Sequence, residues 1–204
     1  AEYGLDVTPH AYGVDTAFEA VVGDPNAPEV LVLLEYDALP GIGHGCGHNV
    51  IAAAGLGAGL VAASLARDLG GRVRILGTPA EEGGSGKVYI ARSGAFDNVD
   101  IMLHWHPGSS NNASPRSTNS NMSGKFTFKG ISAHAASAPH KGRSALDGVE
   151  AMNMMVNMMR EHVPQDSRLH YVITKGGLAP NVVPDLAQVY YYVRHPRREV
   201  VKEL

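Results

Sequence analysis

The chain has little cysteine, few aromatic residues and no marked excess of charge. Cys46 is the only cysteine among 204 residues, so no internal disulfide can form, which fits a reducing, cytoplasmic compartment. The net charge of −3 gives no electrostatic reason to expect a nucleic-acid partner. No uninterrupted apolar run reaches the roughly 20 residues of a membrane span, and residues 50–66 are better explained as a buried helix. With 44% hydrophobic and 18% charged residues, the composition is that of a globular protein.

The first half of the chain alternates between strand-like and helix-like segments. Nearly continuous apolar runs predict buried strands at residues 29–35, 72–78 and 100–104. Helices are predicted between them, at residues 49–69 and 86–93. Strands that alternate with helices are typical of an α/β fold, so we expect a mostly parallel sheet covered by helices.

The second half has a different order of elements. Strands are predicted at residues 123–130, 170–175 and 187–194, with a helix at 144–162 and the start of another helix at the end of the chain. This order matches most of a ferredoxin-like β-α-β-β-α-β unit that lacks its last strand. We therefore expect a second, smaller α+β domain.

The change in pattern predicts two domains, at residues 1–115 and 116–204. The chain begins with Ala1 rather than Met, and Leu204 ends what looks like the first turns of a helix. We expect both ends to be cuts in a longer protein, which would leave both domains incomplete.

Five of the seven methionines lie in the predicted helix of the second domain. Val149, Met152, Val156 and Met159 form the buried stripe that helical spacing predicts. Met154, Met155 and Met158 lie off that stripe. They either fill the core or face a partner subunit, since methionine suits adaptable interfaces.

Three groups of polar side chains follow the three predicted strands of the first domain. They are Cys46 with His48, Glu81 with Glu82, and His104 with His106. Parallel strands bring their carboxyl ends to one edge of a sheet, so these groups can meet although they are distant in sequence. Thiolate, imidazole and carboxylate are ligands for a metal such as zinc.

The adjacent carboxylates of Glu81 and Glu82 can have different roles. One carboxylate can bind metal, while its neighbour faces the substrate as a general base for a metal-activated water. Asp37 either holds a ligand imidazole by its second nitrogen or is an ordinary turn residue. His104 and His106 alternate along the chain, so we expect only one of them to face the site.

These residues lie in motifs that resemble the aminoacylase-like metallopeptidases. The motifs in the first domain are EYDALP at 35–40, HGCGHN at 44–49, EEGGSGK at 81–87 and WHP at 105–107. The second domain adds GISAHA at 130–135, PHKGRSA at 139–145, and GG at 176–177 followed by PNVVP at 180–184. The resemblance covers nearly the whole chain and is strongest to the p-aminobenzoyl-glutamate hydrolase and aminoacylase-1-like amidohydrolases.

The resemblance implies a catalytic domain with two divalent ions, zinc or manganese, bridged by a water or hydroxide. The implied metal ligands are Cys46, His48, Glu82 and His106, with His104 as the alternative to His106. Glu81 is then the general base. The substrate would be the amide of an N-acyl or N-aroyl amino acid, or a dipeptide.

The second domain resembles the lid and dimerisation domain of the same family. The resemblance implies a homodimer in which His134 enters the partner subunit's active site and stabilises the oxyanion. Asn181 and Arg194 would hold the substrate, the arginine through a substrate carboxylate. The family's last histidine ligand would lie beyond Leu204, so we expect the chain alone to lack a complete site.

Two other functions remain open from the residues. Cys46 could be a nucleophile, with His48 or His44 as its base. The chain could also be a dimerising module without catalytic activity.

Overall fold

The computed structural model describes residues 3–113 and 117–204. The chain divides into two compact units, Ala1–Asn112 and Ala113–Leu204, and each is described by itself. The boundary predicted between residues 115 and 116 lies outside the described residues. The α/β fold class is confirmed, with a mixed sheet in the first unit and a separate sheet in the second.

In its described residues, the first unit contains five strands and three α-helices. They are β1 (Val7–Pro9), β2 (Phe18–Gly23), β3 (Glu29–Glu35), α1 (His48–Ala66), β4 (Arg72–Thr78), α2 (Glu81–Gly84), α3 (Gly86–Arg92) and β5 (Ile101–Leu103). All three strands predicted for this half of the chain are present, and β3 and β4 have the predicted bounds.

The sheet of the first unit has the strand order β1-β2-β4-β3-β5. Strand β3 runs parallel to both β4 and β5, so the three predicted strands form a parallel group. Strands β1 and β2, which the sequence did not predict, add an antiparallel edge beside β4. They make the sheet mixed, and their short, half-exposed sequences lack the apolar run that marks β3.

Helix α1 lies against the parallel strands and is rich in small residues. Glycine allows the close approach, because a Cβ on Gly59 would lie 2.6 Å from Ile75 Cγ1 in β4. Ile51, Ala63 and Ala66 face the interior and are buried. Among the described residues, α1 is the one helix long and apolar enough to span a membrane by length and composition. Its inner face packs on β3 and β4, but its outer face is exposed at Val50, Val61 and Leu65, so α1 is not the buried helix that the sequence predicted.

A polar network lies at the amino ends of β3 and β4. Arg74 Nη2 lies 2.6 Å from Glu29 Oε1, and Arg72 Nε lies 3.0 Å from Glu29 Oε2. The Glu29 amide donates to Asp100 Oδ2 at 2.8 Å, which ties the start of β3 to the segment before β5. These bonds hold the amino ends of β3 and β4 and the segment before β5 together. They involve no residue at the carboxyl ends of these strands.

The described part of the second unit contains three strands and two α-helices. They are β6 (Ser120–Lys129), α4 (Ala145–Met159), β7 (Arg168–Lys175), β8 (Leu186–His195) and α5 (Arg198–Glu203). The strands form an antiparallel sheet in the order β6-β8-β7. The elements appear in the predicted order.

Helix α4 covers one face of this sheet. Its amino end is capped by Ser144 Oγ, which accepts a hydrogen bond from the Asp147 amide at 3.2 Å. Val149 is fully buried against Val189 and Tyr191 of β8, and it begins the predicted buried stripe. The methionines outside that stripe are exposed rather than part of the core: they are Met154, Met155 and Met158, with exposed fractions of 60, 63 and 60%.

The packing of α1 predicts opposite effects for two alanine substitutions. Gly59→Ala places a methyl group 2.6–2.7 Å from Ile75 side-chain atoms, and overpacking of this kind costs about 1–3 kcal/mol. Gly57→Ala is the matched control, because a Cβ there would have nothing within 4 Å, and helix propensity favours alanine by about 1 kcal/mol. Urea denaturation of the two variants should show a lower free energy of unfolding for Gly59→Ala and a higher one for Gly57→Ala. Equal effects would contradict the packing described for α1.

Candidate metal centre

The candidate site lies at the carboxyl ends of the three parallel strands. Strand β3 leads to Glu35 and Asp37, β4 leads to the turn that carries Glu81 and Glu82, and β5 precedes His106. These strands are neighbours in the sheet, so the segments that follow them converge as the sequence predicted.

His48 is the centre of this cluster. It begins α1 and is 1% exposed. Its Nε2 atom lies 3.4 Å from Glu35 Oε2, 3.6 Å from Glu82 Oε1 and 3.8 Å from Glu81 Oε2. Its other nitrogen, Nδ1, lies 3.3 Å from Asp37 Oδ1. Three carboxylates therefore surround Nε2 of a buried imidazole, and a fourth carboxylate, that of Asp37, lies beside Nδ1.

Asp37 connects the histidine to the acidic turn. Its Oδ2 atom accepts a hydrogen bond from the Glu82 amide at 3.0 Å. Burial alone raises the pKa of Asp37, but the amides of Glu82 and Glu81 outweigh burial and hold that pKa below its usual value. The carboxylate stays charged beside His48 Nδ1, where a residue that orients a ligand imidazole is expected.

The acidic pair lies in a single helical turn, α2, rather than in an extended segment. Two residues with left-handed backbone, Ala80 (φ 59°) and Ser85 (φ 53°), flank this turn. Such conformations cost non-glycine residues on the order of 1 kcal/mol each. The helical turn lets both carboxylates reach His48, yet the Glu82 side chain is 17% exposed and that of Glu81 is 45% exposed. The two acids therefore share a location but differ in their access to solvent.

Glycine is required where the loop before α1 meets the loop after β5. Gly47 has a φ of +77°, and a Cβ there would lie 2.7 Å from Pro107 Cγ. The close approach brings the ring of His106 to 5.9 Å from that of His48, in an edge-to-face arrangement. The glycine in the HGCGHN motif thus places His106 beside the cluster.

The structure separates the two histidines that follow β5. Two groups of residues have side-chain donor atoms within 4.8 Å of one another: Glu35 with His48 and His106, and His48 with Glu81 and Glu82. His104 belongs to neither group. Its Nε2 atom lies 3.4 Å from Glu35 Oε1, and burial lowers the pKa of its imidazole.

Cys46 is half-buried, and its sulfur belongs to neither of these groups of closely spaced donor atoms. The side chain of Glu82, followed by desolvation and the charges of Glu82, Glu81 and Asp37, raises the pKa of the thiol. A nucleophilic cysteine needs the opposite environment. A bound cation would instead favour the thiolate.

The donor set fits a divalent cation. Ligand atoms about 2.1 Å from a tetrahedral metal lie about 3.4 Å from one another, close to the separations around His48 Nε2. The carboxylates of the cluster are Glu35, Asp37, Glu81 and Glu82. Lys87 is the only lysine before residue 113, so the acidic cluster has a marked excess of negative charge that a cation would balance.

Sequence analysis missed the importance of Glu35 and Lys87. Glu35 is 3% exposed and forms an ion pair with Lys87 of α3. The sequence did contain a signal for Glu35. A charged residue at the end of a strand that is buried on both faces needs a charged partner. Nothing in the sequence indicated that the Lys87 side chain points toward Glu35.

Two residues predicted for the second unit lie on adjacent loops. His134 is exposed, and its Nδ1 atom accepts hydrogen bonds from the Ala136 and Ser137 amides, both at 3.2 Å. These bonds leave the proton of a neutral ring on Nε2, which becomes a free donor. The Ala135 amide donates to the Asn181 carbonyl at 3.0 Å, so the two loops are joined.

Arg194 does not lie on the loops that carry His134 and Asn181. It is exposed on β8, where its Nε atom donates to Asn121 Oδ1 at 3.4 Å. Its guanidinium lies 5.2 Å from the centre of the Tyr192 ring. The planar group is held on the sheet surface with room to bind a carboxylate.

Known proteins share sequence with both halves of the chain. Residues 116–204 match the model of a peptidase dimerisation domain. The chain is 39% identical to a subunit of the p-aminobenzoyl-glutamate hydrolase of Escherichia coli over 98% of its own length and 46% of the relative. It is 38% identical to mouse Xaa-Arg dipeptidase over 97% of its length and 48% of the relative. These matches support the resemblance to the aminoacylase-like M20 peptidases.

A solved structure shares the fold of this chain. A dinuclear metal-binding peptidase from Bacillus subtilis superimposes with a TM-score of 0.64 at 18% identity. The match covers 99% of the present chain and 57% of that structure. The chain spans about half the length of the curated M20 relatives it matches.

The contact between Gly47 and Pro107 predicts a local effect on metal binding. Gly47→Ala forces a methyl group into Pro107 and displaces His106, so we expect metal affinity to fall about 10-fold or more. Gly43→Ala is the matched control: Gly43 has nearly the same φ, +76°, but a Cβ there would have nothing within 4 Å. Competition with a chromophoric chelator measures both affinities. An equal loss in the two variants would mean that backbone strain, not the Pro107 contact, is responsible.

Proposed function

We propose that the protein is a metal-dependent amidohydrolase that cleaves the amide bond of an N-acyl or N-aroyl amino acid or of a dipeptide. The observation that carries the proposal is the cluster around His48, in which three carboxylates surround a buried imidazole nitrogen. Metal-assisted hydrolysis needs this combination of donors together with a carboxylate that can move a proton.

The names of the relatives support this class of substrate. One is a hydrolase of p-aminobenzoyl-glutamate and the other a dipeptidase for Xaa-Arg, so both act on an amide formed by an amino acid. The structural neighbour from Bacillus subtilis is a dinuclear metal-binding peptidase. We therefore propose two divalent ions, zinc or manganese, as the cofactors.

Four residues of the first unit are proposed as ligands for these ions: Cys46, His48, Glu82 and His106. Bound ions would lower the pKa of a water molecule to about 7 and polarise the substrate carbonyl. Asp37 would hold His48 through Nδ1, which fixes the ring so that Nε2 faces the carboxylates. Glu82 suits a ligand role because its side chain is largely buried.

Glu81 is proposed as the general base. Its carboxylate is near enough to the donor atoms to reach a water held there, and its greater exposure leaves it in contact with an entering substrate. It would accept the proton of the attacking water and later return a proton to the leaving nitrogen. Its neighbour Glu82 cannot do this while it binds metal.

The second unit is proposed to complete the site in a homodimer. His134 presents a free Nε2 donor, which would stabilise the oxyanion in the active site of the partner subunit. Asn181 and Arg194 would bind the substrate, with the arginine on its carboxylate. The match to a peptidase dimerisation domain supports this assignment.

The surface beside α4 offers a place for the second copy. Met154 and Met158 line a groove of about 580 Å³ together with Ile173 of β7. In the described part of the second unit, β7 pairs with β8 alone, so its other edge is free to pair.

Sedimentation equilibrium of the full-length protein should give a dimer. A monomer at micromolar concentration would contradict this proposal.

Two alternatives receive less support. A Cys46 nucleophile conflicts with the pKa of its thiol, which the side chain of Glu82, desolvation and the nearby acidic charges raise. A dimerising module without activity would not explain why His48, Glu81 and Glu82 converge. Cytoplasmic localisation remains part of the proposal and rests on the single free cysteine.

Replacement of the proposed base gives the most direct test of function. Glu81→Gln in the full-length protein should lower kcat by about 10²–10⁴-fold, since proton transfer is lost. The metal content should stay at the wild-type value, because Glu81 is not a proposed ligand. Glu199→Gln, at an exposed glutamate of α5, is the control and should leave both quantities unchanged.

The same assay separates the rival mechanisms. Hydrolysis of a panel of N-acyl amino acids and dipeptides is followed before and after treatment with a chelator. Wild-type turnover by Glu81→Gln with metal retained would remove Glu81 as the base. Activity of the wild type that survives complete removal of metal would favour the cysteine mechanism.

A further inference from the structure

The two carboxylate oxygens of Glu35 have different neighbours. Oε1 contacts Lys87 Nζ and lies 3.4 Å from His104 Nε2. Oε2 lies 3.4 Å from His48 Nε2 and belongs to the same group of donor atoms as His106. One oxygen is thus held by a lysine, while the other is directed at the centre of the cluster.

Burial makes the contact with Lys87 necessary. The Glu35 side chain is 5% exposed, and an ionised carboxylate is strongly disfavoured at such a position without a charged partner. Lys87 is partly buried, with its side chain 28% exposed, and no other lysine precedes residue 113. The ion pair gives this buried carboxylate a charged partner and fixes its rotation.

The position of Lys87 also links two parts of the site. Lys87 lies in α3, which begins directly after the turn that carries Glu81 and Glu82. Glu35 ends β3, so the ion pair joins the β3 strand end to the segment that follows β4. A shift of α3 would therefore disturb Glu35 and the acidic turn together.

We propose that Glu35 is a further donor of the metal centre, through Oε2, and that Lys87 is the residue that positions it. His104 contacts the same oxygen as Lys87 and supports the same orientation. The inference rests on the proposed function, because it assigns a further donor to the same centre. The separation of 3.4 Å from His48 Nε2 is that of two ligand atoms about 2.1 Å from a shared tetrahedral ion.

Cobalt(II) titration of the metal-free, full-length protein tests the inference. The visible spectrum reports the ligands of the ion, and competition with a chelator gives the affinity. Glu35→Gln should change the spectrum and lower the affinity. Lys87→Gln should lower the affinity about 10–100-fold, as expected when a residue that orients a ligand is lost. Lys87→Arg should recover part of this loss because it keeps the positive charge.

The control variant is Arg92→Gln, at an exposed basic residue of the same helix. It should match the wild type in spectrum and affinity, and circular dichroism shows whether each variant is folded. If Lys87→Gln does not fold, the spectrum of Glu35→Gln still decides whether Glu35 is a donor. Glu35→Gln with the wild-type spectrum and affinity would overturn the inference. A wild type that binds no cobalt would instead overturn the proposed function.

Discussion

The site depends on the crowding of carboxylates around one buried imidazole. Glu35, Glu81 and Glu82 approach Nε2 of His48, and Asp37 approaches Nδ1. Carboxylates gathered around one point repel one another, and the burial of Glu35 adds a desolvation cost. The only lysine of the first unit balances one of them. The fold holds this arrangement through backbone amides and strand pairing, and the charge that remains is what makes a divalent cation the natural occupant.

The parallel pairing of β3 with β4 and β5 produces this crowding. The register aligns Glu35 with Thr78, so the last residues of β3 and β4 lie side by side. Each strand then leads into a segment with its own constraint: the glycine contact at Gly47 or the two left-handed residues around α2. Strain and close packing are concentrated where the donors meet, as is common at functional sites.

Much of this arrangement could be predicted from the sequence because it follows from local pattern and topology. The apolar run of β3 predicted a strand with its observed bounds, and the rule for parallel strand ends brought His48 together with Glu81 and Glu82. Strands β1 and β2 could not be predicted, since half-exposed segments give a weak signal. The separation of His104 from His106 depends on β5 ending at Leu103, a boundary that periodicity does not determine. The role of Glu35 depends on the direction of one side chain, which the sequence does not encode locally.

Anomalous scattering from crystals of the full-length protein, recorded at the zinc and manganese edges, tests the central claim most directly. The account predicts two ions at the carboxyl ends of the parallel strands, with one ion about 2.0–2.2 Å from His48 Nε2. Cys46, Glu82 and His106 should supply further bonds. Crystals grown with either metal that show no ion within bonding distance of His48 would contradict the account.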